Sequence, residues 1–153
     1  MADIGTRGTS QPVLIIDDSD DDFDATKRAL NRSGNIRNPI YRCEDGQDAL
    51  DFLKQQGRYA DPGDDPRPGI ILLDLNMPGM DGRQFLAEVK SSDSLKRIPV
   101  LVMTTSNSQN DIDYCYDMGA NTYIQKPFDW AGFCEAVQRL KDHWLEIVVL
   151  PRN

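Results

Sequence analysis

Residues 70–82 read IILLDLNMPGMDG: four apolar residues, one acid at position 74, then a turn rich in proline, glycine and methionine. A run this apolar is a strand covered on both faces, as in an all-parallel sheet flanked by helices. Its C-terminal end delivers the Asp74 carboxylate to the edge where open sheets of this kind meet solvent and ligands. Asp74 is therefore the residue around which the rest of the chain has to be read.

Two more continuous apolar runs have the same character. Val13 to Ile16 ends in the acids Asp17 and Asp18, and Pro99 to Thr104 ends in a hydroxyl. Ile40 to Glu44 and Thr122 to Gln125 instead alternate apolar and polar residues, the mark of strands with one wet side, and are placed at the edges of the sheet. Helical patterns separate the strands. The acidic run Ser19 to Asp22 opens a helix to about Ser33 that Gly34 stops, and Asp45 caps a helix burying Ala49, Leu50 and Leu53. Phe85, Leu86 and Val89 mark a third helix, and Asn107 to Met118 a fourth that ends at Gly119.

Five strands alternating with helices predict an α/β domain with a doubly wound, five-stranded parallel sheet. Central placement of the first, third and fourth strands, with right-handed crossovers, gives the flavodoxin-like order 2-1-3-4-5. The switch point then lies between the first and third strands, which brings Asp17, Asp18 and Asp74 together.

Three acids so placed repel one another, and a hard divalent ion such as Mg²⁺ relieves that repulsion through oxygen ligands. Thr104 and Lys126, at the ends of the fourth and fifth strands, reach the same crevice with a hydroxyl donor and an ammonium. Phosphoryl transfer needs mainly positioning and charge neutralisation, and an aspartate so surrounded is a competent nucleophile. Asp17 or Asp74 taken alone reads as a helix cap or solvated turn; the joint pattern is what carries the functional reading. Asp20, Asp21 and Asp22 are assigned to a solvated helix start with no ligand role, and Met77 and Met80 to core filling.

The acid pair Asp17-Asp18, the run from Asp74 through Met77-Pro78 to Asp81-Gly82, Thr104 thirty positions beyond Asp74, and Lys126-Pro127 resemble the receiver domain of two-component response regulators. The resemblance spans Pro12 to about Lys141. It implies that Asp74 accepts phosphate from a histidine kinase, and that Asp18, Asp74 and the Asn76 backbone carbonyl ligate Mg²⁺ with Asp17 acting through water. It also implies that Thr104 and Tyr123 form a switch pair; from its strand alone Tyr123 is equally a packing residue. Thr105 departs from the smaller residue the family prefers there. The long loop from Gly57 to Pro68 and the C-terminal WLEIVVLP resemble the phytochrome-associated branch of single-domain receivers, which makes a bacteriophytochrome the expected kinase. A haloacid-dehalogenase-like phosphatase or phosphotransferase is the alternative for a strand-end aspartate, but it wants a second acid two residues on, where this chain has Asn76. A binding module that never takes phosphate is the third reading.

The chain of 153 residues carries 17 basic and 25 acidic residues, a formal charge of −8, which disfavours nucleic acid and anionic membrane surfaces as partners. No run approaches the roughly 20 apolar residues of a membrane span, and the polar start lacks a signal-peptide core, so a cytoplasmic location is expected. Cys43, Cys115 and Cys134 read as buried, inert thiols, and His143 as a helix-end cation. Residues 1–11 are expected to form a disordered leader, residues 12–143 the domain, and residues 144–153 a C-terminal extension. Trp130, Phe133, Val137, Leu140, Trp144 and Ile147 keep a three-then-four spacing that predicts one helix from Asp129 to Ile147, about 28 Å long, against strands of about 17–20 Å. Its overhanging end would expose Trp144, Leu145, Ile147, Val148 and Leu150 and build a symmetric homodimer. The alternative is that Val148 to Pro151 folds back over its own domain.

Overall fold

The computed structural model describes residues 11–60 and 67–151. Its strands are β1 (Val13–Ile16), β2 (Ile40–Cys43), β3 (Ile70–Leu73), β4 (Val100–Thr104) and β5 (Thr122–Gln125), all parallel in the order β2-β1-β3-β4-β5. Every residue of β1, β3 and β4 is buried, whereas β2 and β5 are partly wet, so apolar content sorts centre from edge as expected. The helices are α1 (Asp20–Leu30), α2 (Gly46–Lys54), α3 (Gly82–Ser91), α4 (Gln109–Asp117) and α5 (Trp130–Lys141).

Alternate strand residues feed two separate cores. Leu14, Ile16, Ile71, Leu73, Val100 and Val102 pack with Leu50 and Leu53 of α2 and Phe85, Leu86 and Val89 of α3. Val13, Ile15, Ile70, Leu72, Leu101 and Met103 pack with Ala29 and Leu30 of α1 and Phe133, Val137 and Leu140 of α5. Each helix start is capped by its own chain: Ser19, Asp45, Asp81, Ser108 and Asp129 accept amides of the first turn, and Asp81 with Gln84 forms a reciprocal capping box.

Three elements differ from expectation. Helix α1 stops at Leu30 rather than Ser33, because the Asn31 amide donates to the Lys27 carbonyl while its oxygen takes the Ile36 amide. The segment following α2 begins with a 3₁₀ turn, Gly57–Tyr59, pinned where Arg58 grips Asp48 at 2.9 and 3.1 Å; residues 61–66 of the expected long loop lie outside the described residues. The expected leader does too, apart from Gln11.

The third difference is at the C-terminus. The α-helix ends at Lys141 and continues as a π-helical turn, Asp142–Ile147, closed by the Val148 amide on the His143 carbonyl at 2.9 Å. A π turn is wider than an α turn, so the inward phase slips and the next buried apolar residue after Leu140 is Leu145. The chain then turns back: Leu150 is buried in the α1–α5 core, Trp144 and Val148 pack against that core, and Gln11 holds the Pro151 carbonyl at 3.1 Å. The expected apolar overhang is therefore corrected at Leu145 and Leu150, which cover their own domain. Of the five residues expected to be exposed, Ile147 faces outward at 71% exposure, joined by Val149 at 86%.

Candidate functional site

The C-terminal ends of β1, β3, β4 and β5 converge on one crevice. Parallel pairing places Asp17 and Asp74 on neighbouring strand ends, with the Asp74 amide held by the Ile16 carbonyl at 3.0 Å. Carboxylate oxygens of Asp17, Asp18 and Asp74 all lie within 4.8 Å of one another, Asp17 buried, Asp74 half-buried and Asp18 exposed. This is an all-oxygen donor set with a solvent-facing side, which suits a hard divalent cation that keeps part of its water shell. The turn after Asp74 is tightly seated: a side chain at Gly82 would strike the Asp74 carbonyl and come within 2.7 Å of Leu75 Cα. Asn76 lies on that turn, its amide donating to Asp74 Oδ1 at 3.4 Å.

Lys126 enters from β5, its own amide fixed by the Thr104 carbonyl at 2.7 Å. Its ammonium, only 7% exposed, lies 3.1 Å from Asp17, 3.0 Å from Asp22 and 3.9 Å from Asp74. Burial alone would lower its pKa, and the Asp74 and Asp17 carboxylates more than reverse that, so the lysine stays charged. Asp74 is pushed above the usual carboxylate range, first by burial and then by Asp17, with Lys126 acting in the other direction. The nucleophile candidate is thus a desolvated carboxylate beside a fixed cation.

Thr104 is fully buried, and its hydroxyl is the one described buried side-chain polar atom with no partner at hydrogen-bond distance, although it lies close enough to the Asp74 carboxylate to pull that group's pKa down a little. Such a group costs free energy unless a ligand completes it. The Tyr123 ring packs against the α2–α3 core, and its hydroxyl donates to the Ser106 carbonyl at 2.9 Å, so the aromatic partner of the expected switch sits inward. Thr105 is exposed beside Lys126 at the mouth of a cleft of about 330 Å³ that Pro127, Phe128 and Trp130 also line.

Sequence reasoning missed Asp22, whose carboxylate shares Lys126 with Asp17 and Asp74. As the third residue of α1 it turns toward the crevice, a phase that the unbroken acidic run Asp20 to Asp22 conceals. Met77 is buried and Met80 partly so in the α2–α3 core, as expected. Cys43, Cys115 and Cys134 are buried free thiols, and burial raises Cys43 to about 12 and Cys115 to about 11, out of the reactive range. His143 is exposed against Trp144, far in the chain from the crevice.

Residues 13–138 match the response regulator receiver domain family. The chain belongs to that family. As a receiver it is a phosphoacceptor protein of two-component signalling rather than a classical enzyme, and the haloacid-dehalogenase-like alternative is set aside. It is 40% identical over 139 residues to the response regulator Rcp1 of Synechocystis sp., covering 91% of this receiver and 92% of that protein. The crystal structure of the Mn²⁺-bound form of Rcp1 superposes with a TM-score of 0.86 at 39% identity, over 93% of this receiver and 99% of that chain. The phosphorylated cyanobacterial phytochrome response regulator RcpA gives 0.85 at 36% identity, over 94% and 99%. Among the described residues no helix is long and apolar enough to cross a membrane.

Proposed function

We propose that Asp74 is the phosphoacceptor of this receiver, taking its phosphoryl group from the phosphohistidine of a histidine kinase that is a phytochrome photoreceptor. The Asp74 carboxylate forms the new O–P bond as the P–N bond breaks, and the imidazole leaves with the electron pair and gains a proton. Lys126 neutralises the oxygens of the transferring group, and the Thr104 hydroxyl donates to one of them. The observation that carries the reading is the buried Thr104 hydroxyl at a strand end beside Asp74 and Lys126, a donor with no partner at hydrogen-bond distance, whose proximity to the Asp74 carboxylate lowers that group's pKa.

Asp18, Asp74 and the Asn76 carbonyl would hold Mg²⁺, with Asp17 assisting through water, and the ion would supply positive charge to offset the crowding among the carboxylates and the incoming phosphate. Support for that comes from the close carboxylate set and the raised pKa of Asp74. The phytochrome assignment rests on likeness to RcpA and to the bacteriophytochrome response regulator AtBRR, the latter at 32% identity and a TM-score of 0.70. The three free thiols suit a reducing cytoplasm. Output runs through a protein interface, including a homodimer in which the outward Ile147 and Val149 replace the five-residue patch expected from sequence.

Intact mass after exposure to a small acyl-phosphate donor tests the reading. The expected result is a Mg²⁺-dependent gain of one phosphoryl group in the wild type and none in Asp74→Asn; gain without Mg²⁺, or in the variant, overturns it. For the dimer, Ile147→Asp is expected to lower the mass measured by sedimentation, and a wild type that sediments as a monomer at high concentration removes that part.

A further inference from the structure

Helix α4 is held to the body mainly by polar contacts. Of its nine residues only Cys115 is buried, with Tyr114 packed partly against the α2–α3 core, so limited apolar packing fixes its position or that of the loop leading into it from Thr104. Besides the Tyr116 hydroxyl, which accepts the Tyr123 backbone amide at 3.2 Å, what holds it is Arg83, the second residue of α3. Its Nε and Nη2 donate to the two carboxylate oxygens of Asp111 at 2.8 and 2.7 Å, and the Tyr114 hydroxyl donates to the Arg83 carbonyl at 3.3 Å. A two-pronged guanidinium–carboxylate pair fixes direction as well as distance, which a point charge does not. Both side chains are largely shielded, at 30% and 17% exposure.

The chain of contacts runs on from Asp111 to the switch. The Ser106 hydroxyl donates to Asp111 at 2.7 Å, and the carbonyl of the same residue accepts the Tyr123 hydroxyl at 2.9 Å. Ser106 is thus fixed at both ends, by α4 on one side and by β5 on the other. Two residues before it stands Thr104, whose hydroxyl has no partner at hydrogen-bond distance. If α4 is let go, the Ser106 carbonyl is free to turn, and a partly buried phenol that loses its acceptor is driven to find water.

We propose that Arg83 and Asp111 are positioning residues that hold Tyr123 inward before any phosphoryl group arrives, so that the population able to accept phosphate at Asp74 is raised in the resting protein. The proposal rests on the reading of Asp74 as the phosphoacceptor. Phosphorylation then selects a conformation already present, and its rate scales with the fraction of molecules that have the tyrosine in place. Arg83 touches neither the phosphoryl group nor Asp74 in this arrangement; it acts through Asp111, Ser106 and Tyr123. The Asp111 carboxyl is held below its ordinary pKa by these hydrogen bonds, first that from Arg83, so the pair stays ionised through the neutral range.

The test uses the full chain with its five tyrosines replaced by 3-fluorotyrosine, read by fluorine NMR, with Tyr123→Phe identifying the resonance that disappears. In unphosphorylated Arg83→Ala the Tyr123 resonance is expected to move toward the solvent-exposed position, and to return when the protein is phosphorylated with a small acyl-phosphate donor and Mg²⁺. The initial phosphorylation rate should fall roughly fivefold, a common size for couplings of this kind, with the final stoichiometry unchanged. Arg83→Lys keeps the charge without the two-pronged grip and should lie between; it also stands in if the alanine variant does not fold. A Tyr123 resonance in either variant identical to wild type overturns the proposal, as does an unchanged rate. Should the wild type take no phosphate at all, the phosphoacceptor reading fails, while the resonance in the unphosphorylated variants still decides whether the pair holds the tyrosine.

Discussion

Replacing Thr104 by valine separates what this receiver needs in order to fold from what it needs in order to work. Valine keeps the branched shape of threonine and exchanges the hydroxyl for a methyl at a fully buried position. Since that hydroxyl has no partner at hydrogen-bond distance and meets only the Asp74 carboxylate beyond it, folding strips it of water for little return, against a penalty of about 1–3 kcal/mol for a group of this kind. Thr104→Val should therefore stabilise the unphosphorylated protein by about 1–2 kcal/mol, seen as a higher urea midpoint with an unchanged slope, and raise the melting temperature by about 2–4 °C per kcal/mol. The same variant should accept phosphate from a small donor more slowly, because a hydroxyl that would meet a phosphoryl oxygen is gone. Thr104→Ser supplies the converse: it keeps the hydroxyl and the reaction but loses a buried methyl, at a cost of about 1 kcal/mol. A valine variant that melts at or below the wild type would refute the reasoning, since the hydroxyl would then have a partner worth keeping.

Other outcomes follow from the same geometry. Asp74 is raised above its ordinary pKa by burial, so as pH rises from the ordinary carboxylate value through the raised one the folded state retains a proton the unfolded chain has released, and stability falls. Metal-free Asp74→Asn should accordingly gain on the wild type as pH rises through that window and match it more closely below, as urea titrations at several pH values would reveal; a constant gap contradicts the assignment. Lys126→Met strands the buried Asp17 beside Asp74 and should cost about 3 kcal/mol without metal, part of it restored by Mg²⁺; equal losses with and without Mg²⁺ would mean that the carboxylates do not share a cation. At protein concentrations where the chain is monomeric, Leu145→Ala and Leu150→Ala should each lose about 2–4 kcal/mol, while Ile147→Ala stays within about 0.5 kcal/mol of wild type; a reversed ranking in chemical denaturation would return the C-terminus to an exposed overhang.

Much of this was legible because strand content and strand ends are local properties. Continuous apolar runs identify β1, β3 and β4, alternation identifies β2 and β5, and the residue closing each run, Asp17, Asp74, Thr104 or Lys126, is delivered to the crevice by topology alone. Helix phase was harder to read. Asp22 sits in a row of acids that looks uniformly solvated, and only the rotation of α1 directs it at Lys126. The spacing from Trp130 to Ile147 is regular, yet the π turn after Lys141 shifts the buried register to Leu145, and no residue type announces such a turn. The Arg83–Asp111 pair joins side chains far apart in sequence on two different helices, and nothing near either one marks the other as its partner.

In a working receiver the phosphoryl group forms an anhydride with the carboxylate at position 74 and with no other. Borohydride converts an aspartyl phosphate to homoserine, so the protein would be phosphorylated with a small donor and Mg²⁺, reduced, digested and read by peptide mass spectrometry. The prediction is homoserine at position 74 and at no other aspartate. Conversion at Asp17, Asp18 or Asp22, or a phosphorylated protein with no homoserine, would contradict it.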